Sequence, residues 1–340
     1  MFKHIVVPLD GSELSEKALP YAVRLAKSLD LSLTLLRVVD VPDLPAVPLR
    51  KRHFDEVTEY LLKIRDFISG KRKDYLFLPR VEVAVVAGEP VSEICRFVRE
   101  KEEALLIMTT HGRSGFSRLV MGSVAGRVLH KLTTPVLLVR PFGRKETYSL
   151  EELLSAEDEP FAITFLVDGI RLLVPLDQDE KSEAALDPAF ELARQLKAPL
   201  YFVKVNLPVD AILYGEAAAF ALSPEDIAKI EEHNREEAQA YLEQVVQLAQ
   251  EQGLETNTEV LTGDPAKEIM EYADAVEPDL LVMATHARGE VGRFFFGSVA
   301  TQILQSTHLP VLLVPPGKAH GKSGEARESS AGKEPVETQS

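Results

Sequence analysis

The sequence predicts an α/β fold written twice: two Rossmann-like domains in tandem, each a parallel sheet with helices on both faces. Three observations predict it. Short runs rich in Val, Ile and Leu alternate with helical patterns, which is the signature of βαβ units. The pattern then recurs in the second half: His4-Ile5-Val6-Val7-Pro8-Leu9-Asp10 matches Arg171-Leu172-Leu173-Val174-Pro175-Leu176-Asp177. Finally, a glycine-rich loop follows an apolar run and leads into a helix in both halves, Thr110 to Val124 and Thr285 to Val299. That context suits a phosphate cradle.

The elements follow in order. Ile5 to Leu9, Leu33 to Val39, Val81 to Val86, Leu105 to Thr109 and Val136 to Val139 read as strands. They are almost continuously apolar, as strands covered on both faces are. Glu13 to Ser28 reads as a helix whose apolar face carries Leu14, Ala18, Tyr21, Ala22 and Leu25, with Asp10 and Ser12 as caps. Pro90 and Pro265 fit the first turn of a later helix, where the missing N–H costs nothing. Val86-Ala87-Gly88-Glu89-Pro90 matches Leu261-Thr262-Gly263-Asp264-Pro265, and Thr134 to Val139 matches Leu309 to Val314. The second copy is longer around Asp210 to Pro224, as surface connections tolerate.

These matches give a first domain over 1–141, a linker over 142–160, a second domain over 161–316 and a tail over 317–340. The linker is polar and acidic, with a short helix at Leu150 to Leu154. Phe161 to Val167 reads as an extra strand, turned by Asp168-Gly169 into the repeated one. The tail, rich in Gly, Ser, Glu and Lys, reads as disordered.

Composition excludes several classes. A net charge of −15 argues against a nucleic-acid binder. The basic clusters Arg50-Lys51-Arg52-His53 and Lys71-Arg72-Lys73 read as solvated surface. No apolar run reaches the eighteen or so residues of a membrane span, and the N-terminus lacks a signal-peptide layout. The single cysteine, Cys95, leaves no disulfide framework, so a reducing cytoplasm is the expected compartment. Cys95 itself reads as buried filler.

In a sheet of this kind, ligands bind beyond the carboxyl ends of the strands where the order reverses. Asp10 follows the first strand, Val38 lies near the end of the second, and the His111-Gly112 loop follows the fourth. A nucleotide fits that geometry: Asp10 accepts from ribose, Val38 flanks the base, and loop N–H groups hold phosphates. Gly122 and Ser123 open a helix whose N-terminus favours anions. Walker and Rossmann glycine fingerprints, a nucleophile elbow and a zinc helix are all missing. Asp10 and Asp177, and Ser123 and Ser298, could alternatively be simple helix caps. Arg113 and Arg118 could clamp phosphate or be solvated, and Phe294 to Phe296 read as packing.

These residues resemble the universal stress protein family in its tandem form. The resemblance rests on the first-strand aspartate, the glycine loop, the following Gly-Ser and the final Pro-Val-Leu-Leu-Val, in order and twice. It implies adenine nucleotide alpha hydrolase-like domains, five-stranded parallel sheets in the order 3-2-1-4-5, and pairing of the two domains through their fifth strands. It also implies an ATP site at Pro8, Asp10, Val38, Met108 and Thr109, continuing through His111, Gly112, Arg113, Gly122, Ser123 and Val124. A weaker second site would use Asp177, Val205, Met283 and His286, with Gly297, Ser298 and Val299. The ATP-binding branch carries Gly, two residues, Gly, nine residues, then Gly with Ser or Thr. Here Thr109 replaces the first glycine, while Gly112 and Gly122-Ser123 match; in the second copy Ala284 and Ala287 replace both glycines and Gly297-Ser298 stays. Gly11-Ser12 has become Gln178-Asp179, which adds a carboxylate.

The resulting expectation is an ATP-binding regulatory protein of the stress response, with nucleotide in the first domain and an unidentified protein partner. A nucleotide-free scaffold and a slow ATP hydrolase are the alternatives, the latter disfavoured because no general base stands out. The sequence leaves open whether magnesium accompanies ATP and whether the chain forms a homodimer.

Overall fold

The computed structural model describes residues 2–40, 47–70, 79–110, 122–140, 170–179, 181–209, 223–285 and 297–315. The first half contributes β1 (His4–Pro8), α1 (Glu13–Glu16), α2 (Leu19–Ser28), β2 (Ser32–Val39), α3 (Val47–Gly70), β3 (Val81–Ala87), α4 (Pro90–Arg99), β4 (Ala104–Thr109), α5 (Ser123–Lys131) and β5 (Val136–Val139). The second contributes β6 (Leu172–Leu176), a 3-10 turn (Ser182–Ala185), α6 (Leu186–Leu196), β7 (Leu200–Asn206), α7 (Pro224–Gln250), β8 (Thr256–Thr262), α8 (Pro265–Val276), β9 (Leu280–Ala284), α9 (Ser298–Ser306) and β10 (Val311–Val314).

The ten strands among the described residues form one sheet in the order β3-β2-β1-β4-β5-β10-β9-β6-β7-β8. Within each half the pairing is parallel and the order is the expected 3-2-1-4-5. The halves meet where β5 and β10 pair antiparallel, with Leu137 opposite Leu312. Each strand becomes an interior strand at that seam, so neither half leaves an apolar edge there.

Strand alternation sorts the core into two layers. Ile5, Val7, Leu33, Leu35, Leu105 and Ile107 face one side with α2 and α3. Val6, Leu36, Leu106 and Met108 face the other, against Val91, Ile94 and Val98 of α4 and Ala125, Val128 and Leu129 of α5. Cys95 is buried in that second layer, and burial pushes its thiol pKa up.

The helix expected over Glu13 to Ser28 is two helices. Pro20 cannot donate to the Glu16 carbonyl, and its ring would collide with it, so α1 ends at Glu16 and α2 restarts at Leu19. Pro90 and Pro265 do open α4 and α8, behind Glu89 and Asp264 as N-caps. The repeated glycine before each cap has a steric cause. Gly88 and Gly263 sit at φ 148° and 156°, and a Cβ would come within 2.6 and 2.5 Å of the Glu93 and Glu268 side chains. Lys51 and Arg52 lie exposed on α3, with Arg52 paired to Glu56 at 3.0 Å. The expected linker helix, the Phe161 strand with its Asp168-Gly169 turn, Lys71 to Lys73, the insertion at 210–222 and the tail lie outside the described residues.

Candidate functional site

The order reverses between β1 and β4, and the two strands separate there. Their ladder consists of His4–Ala104, Ile5–Leu105 and Val6–Leu106, although β1 continues to Pro8 and β4 to Thr109. On its other side, β1 stays paired with β2 through Pro8–Leu36. The carboxyl ends of β1 and β4, no longer paired with each other, therefore bound a crevice. The same divergence occurs in the second half, where β6 and β9 pair only at Leu172–Leu280 and Leu173–Leu281.

Several of the anticipated residues converge on it. Period-2 alternation puts Pro8 on the same face as Val6, and Met108 on the same face as Leu106. Val38 and Val124 pack partly buried against that layer. The α4–α5 side of the sheet thus carries Pro8, Val38, Met108 and Val124 beside the crevice, three of them incompletely covered. Thr109 is buried at 6% exposure. His111, Gly112, Arg113 and His286 lie outside the described residues, as do Arg118, Ala287 and Phe294 to Phe296.

Asp10 leaves β1 in a tight turn. Its Oδ1 accepts from the Ser12 N–H at 3.0 Å and from the Ser12 hydroxyl, while its own N–H donates to the Ser15 hydroxyl at 3.3 Å. Gly11 takes φ 75° to make the turn. Ser12, rather than Asp10, is the N-cap of α1, accepting from the Ser15 N–H at 3.2 Å. Asp10 therefore orients the cap and stands half-buried at the rim.

The helix side of the crevice is set by α5. Its N-cap is Gly122, which makes no side-chain cap bond, and Ser123 is the exposed first helical residue. Ser298 stands likewise behind Gly297. The capping alternative for these two serines is thus set aside. No acidic side chain occupies the first turn of α5, and His130 and Lys131 lie in its last turn, so the exposed N-terminal N–H groups keep their attraction for anions. The Gly122 N–H donates to the Thr110 carbonyl at 2.6 Å, and the Thr110 N–H to the Val139 carbonyl at 3.0 Å. Both ends of the glycine loop are thereby anchored beside β4 and β5.

The second half reproduces this frame with altered chemistry. Asp177 Oδ1 accepts from the Asp179 N–H at 3.0 Å, and the Asp177 N–H donates to the Ser182 hydroxyl at 3.3 Å. Gln178 holds φ 69° where the first copy has Gly11, a left-handed conformation that costs a side-chain-bearing residue about 1–2 kcal/mol. Asp177 is exposed, and Asp179 replaces Ser12 with a charge. Val205 and Met283 are buried in the layer equivalent to Val38 and Met108, and Val299 packs against it.

Sequence reasoning missed a polar group behind the crevice. Arg37, buried within β2, donates from Nη1 to the Leu9 carbonyl at 3.0 Å. The Tyr60 hydroxyl on α3 donates to Glu16 Oε1 at 2.6 Å. Glu183, Lys204 and Tyr241 are their counterparts, so recurrence of a charge inside an apolar strand was the available signal.

The family model of the universal stress protein family matches residues 1–140 and 171–315. A universal stress protein of Methanocaldococcus jannaschii is 33% identical over 143 residues, covering 41% of this chain and 83% of that protein. Universal stress protein YxiE of Bacillus subtilis is 34% identical over 150 residues, covering 41% of this chain and all (100%) of that one. The crystal structure of a universal stress protein from Archaeoglobus fulgidus superposes with a TM-score of 0.64 at 20% identity, covering 92% of this chain and 98% of that one, which shows the shared fold. With two matched segments, two copies of the same sheet and a crevice in each, the chain belongs to the universal stress protein family and carries its domain in tandem.

Proposed function

We propose that the first half binds ATP or a related adenine nucleotide, and that the chain acts as a nucleotide-responsive regulatory protein. The observation carrying this reading is the early end of the β1·β4 ladder at Val6–Leu106. It opens a crevice between an apolar wall, the Asp10 turn and an anion-attracting helix terminus. The base would lie against Val38, Pro8 and Met108, ribose hydroxyls would donate to Asp10, and phosphates would meet the α5 N-terminus at Gly122 and Ser123, with His111, Gly112 and Arg113 continuing the cradle. A divalent cation such as magnesium would take its ligands from phosphate and water. Among the described residues no three His, Cys, Asp or Glu side chains gather to hold one.

The second half is read as a degenerate partner. Its strained Gln178 and the extra carboxylate of Asp179 support this, because a carboxylate in the Ser12 position repels phosphate. Asp177, Val205, Met283, His286, Gly297, Ser298 and Val299 would then serve a weaker site or only packing.

The test is mass spectrometry of ligand released from freshly purified, denatured protein, followed by thermal unfolding with added ATP. A ligand that binds only the folded state must raise stability, by about 2.7 kcal/mol at a hundred times Kd. An adenine nucleotide in the released fraction, or a rise in Tm with ATP, supports the reading. No nucleotide and no shift would leave the tandem sheet as an interaction scaffold.

A further inference from the structure

The crevice is approached from behind as well as from the front. Arg37 follows Leu33 and Leu35 in alternation, so it projects to the α2–α3 side of the sheet, opposite Val38. There it reaches the carbonyl of Leu9, the residue that precedes Asp10, at 3.0 Å. The Leu9 N–H already donates to the Leu36 carbonyl at 2.8 Å. Both backbone groups of Leu9 are therefore fixed by β2, one through the strand and one through a buried guanidinium.

The far side of the Asp10 turn is fixed too. Glu16, one turn past the Ser12 cap, accepts from Tyr60 of α3 at 2.6 Å. The Tyr60 hydroxyl also feels the charges of Arg37 and Asp10 beside that of Glu16. A buried guanidinium is retained only where its charge is met by such partners.

The second half keeps the plan with weaker parts. Lys204 replaces Arg37, and burial lowers its pKa against the opposing pull of Asp177. Tyr241 feels Glu183, Ser182 and Asp177, but its hydroxyl makes no hydrogen bond of ordinary geometry. A lysine offers a point charge where arginine offers a rigid fork of donors.

From this we infer that Arg37, acting together with the Tyr60–Glu16 bond on the far side of the turn, is a positioning residue that aims the Asp10 carboxylate at the ribose of the nucleotide bound in the first half. The inference rests on the nucleotide reading above and names the device that gives that site its preference for a sugar with hydroxyls. Arg37 touches no ligand: it fixes the backbone from which Asp10 projects. It follows that the guanidinium matters for ribose hydroxyls and not for base or phosphate.

The experiment measures ATP and 2′,3′-dideoxy-ATP affinity by calorimetry for the wild type, Arg37→Met, Arg37→Lys and Tyr60→Phe, with each melting temperature recorded. The wild type should favour ATP. Arg37→Met should weaken ATP about tenfold, the scale of one charge-assisted hydrogen bond, and leave dideoxy-ATP unchanged. Arg37→Lys should recover part of the difference. Tyr60→Phe removes a single hydroxyl and keeps the fold measurable should Arg37→Met not fold; it should narrow the same gap. Equal weakening of both nucleotides, or a gap that survives Arg37→Met or Tyr60→Phe, overturns the positioning role while the nucleotide site stands. A wild type that binds neither nucleotide overturns the underlying reading, a separate and recognisable result.

Discussion

Arg140 of the first half caps a helix of the second through Thr307: its Nε donates to the Thr307 carbonyl at 2.8 Å, and Nη2 reaches the Gln305 carbonyl at 3.2 Å. Both carbonyls belong to the end of α9, where backbone acceptors lack helical partners. The guanidinium also meets the negative end of the helix. Arg140 is buried, and that burial lowers its pKa. The corresponding position of the second copy is Pro315, which has no donor to return the contact. Arg140→Met should destabilise the protein by about 1.5–3 kcal/mol, the range for hydrogen bonds to a charged group. Denaturant unfolding measures it, and a loss under about 0.5 kcal/mol would show the cap to be idle.

The seam beside it should be equally sensitive. Leu137 and Leu312 face each other across the antiparallel pair at 2% and 1% exposure. Truncating Leu312 to Ala should cost about 2–5 kcal/mol. The whole sheet should still melt in one step, since the ten described strands belong to one continuous sheet. Two separated transitions in the wild type would show that the halves fold independently of their junction.

At the crevice, Asp10→Asn should preserve the turn, because an amide oxygen can still accept from Ser12. ATP affinity should drop about tenfold through the lost charge. Ser123→Ala should weaken ATP several-fold with Tm unmoved, because Ser123 is not the cap of α5. A fall in Tm with unchanged affinity would instead assign Ser123 a structural role.

Alkaline pH tests the buried hydroxyls. Burial raises the pKa of Tyr21, Tyr60 and Tyr241, with Glu16 adding to the effect at Tyr60. Above about pH 10 the unfolded chain releases tyrosine protons that the folded chain retains. Stability should therefore be level below that pH and fall as pH rises through the elevated folded values. Tyrosinate absorbance should show a prompt fraction, then a delayed fraction that appears together with unfolding. Ionisation of all eight tyrosines in one early step would contradict the burial of these three.

How much of this was legible depended on the physics of each element. The interior strands were the most legible because both their faces are covered: all six residues of β4 are buried and five of them are apolar, whereas the edge strand β8 is largely exposed and mostly polar. The break between α1 and α2 was overlooked because the apolar spacing from Leu14 to Leu25 continues across it, and only the missing N–H of Pro20 interrupts the backbone. Asp10 and the Gly122-Ser123 pair stood out because they recur in both copies, Asp10 just after a strand and Gly122-Ser123 at the start of a helix. Arg37 was passed over because a charge in an apolar strand reads as an interruption, and its bond is to the Leu9 carbonyl, a backbone group that no side-chain pattern reports. The pairing of Tyr60 with Glu16 spans 44 positions and emerges only when α3 folds against β2.

The antiparallel junction has a consequence for how the two copies could diverge. Since β5 and β10 run in opposite directions, the carboxyl ends of the strands in one half point away from those of the other. The two crevices open on opposite rims of a single sheet and share no wall. A change in the turn on one rim therefore leaves the turn on the other intact, provided the seam is kept. Gln178 and Asp179 stand on the second rim, so the substitutions that set them apart from Gly11 and Ser12 alter that turn alone, within a sheet that both copies share.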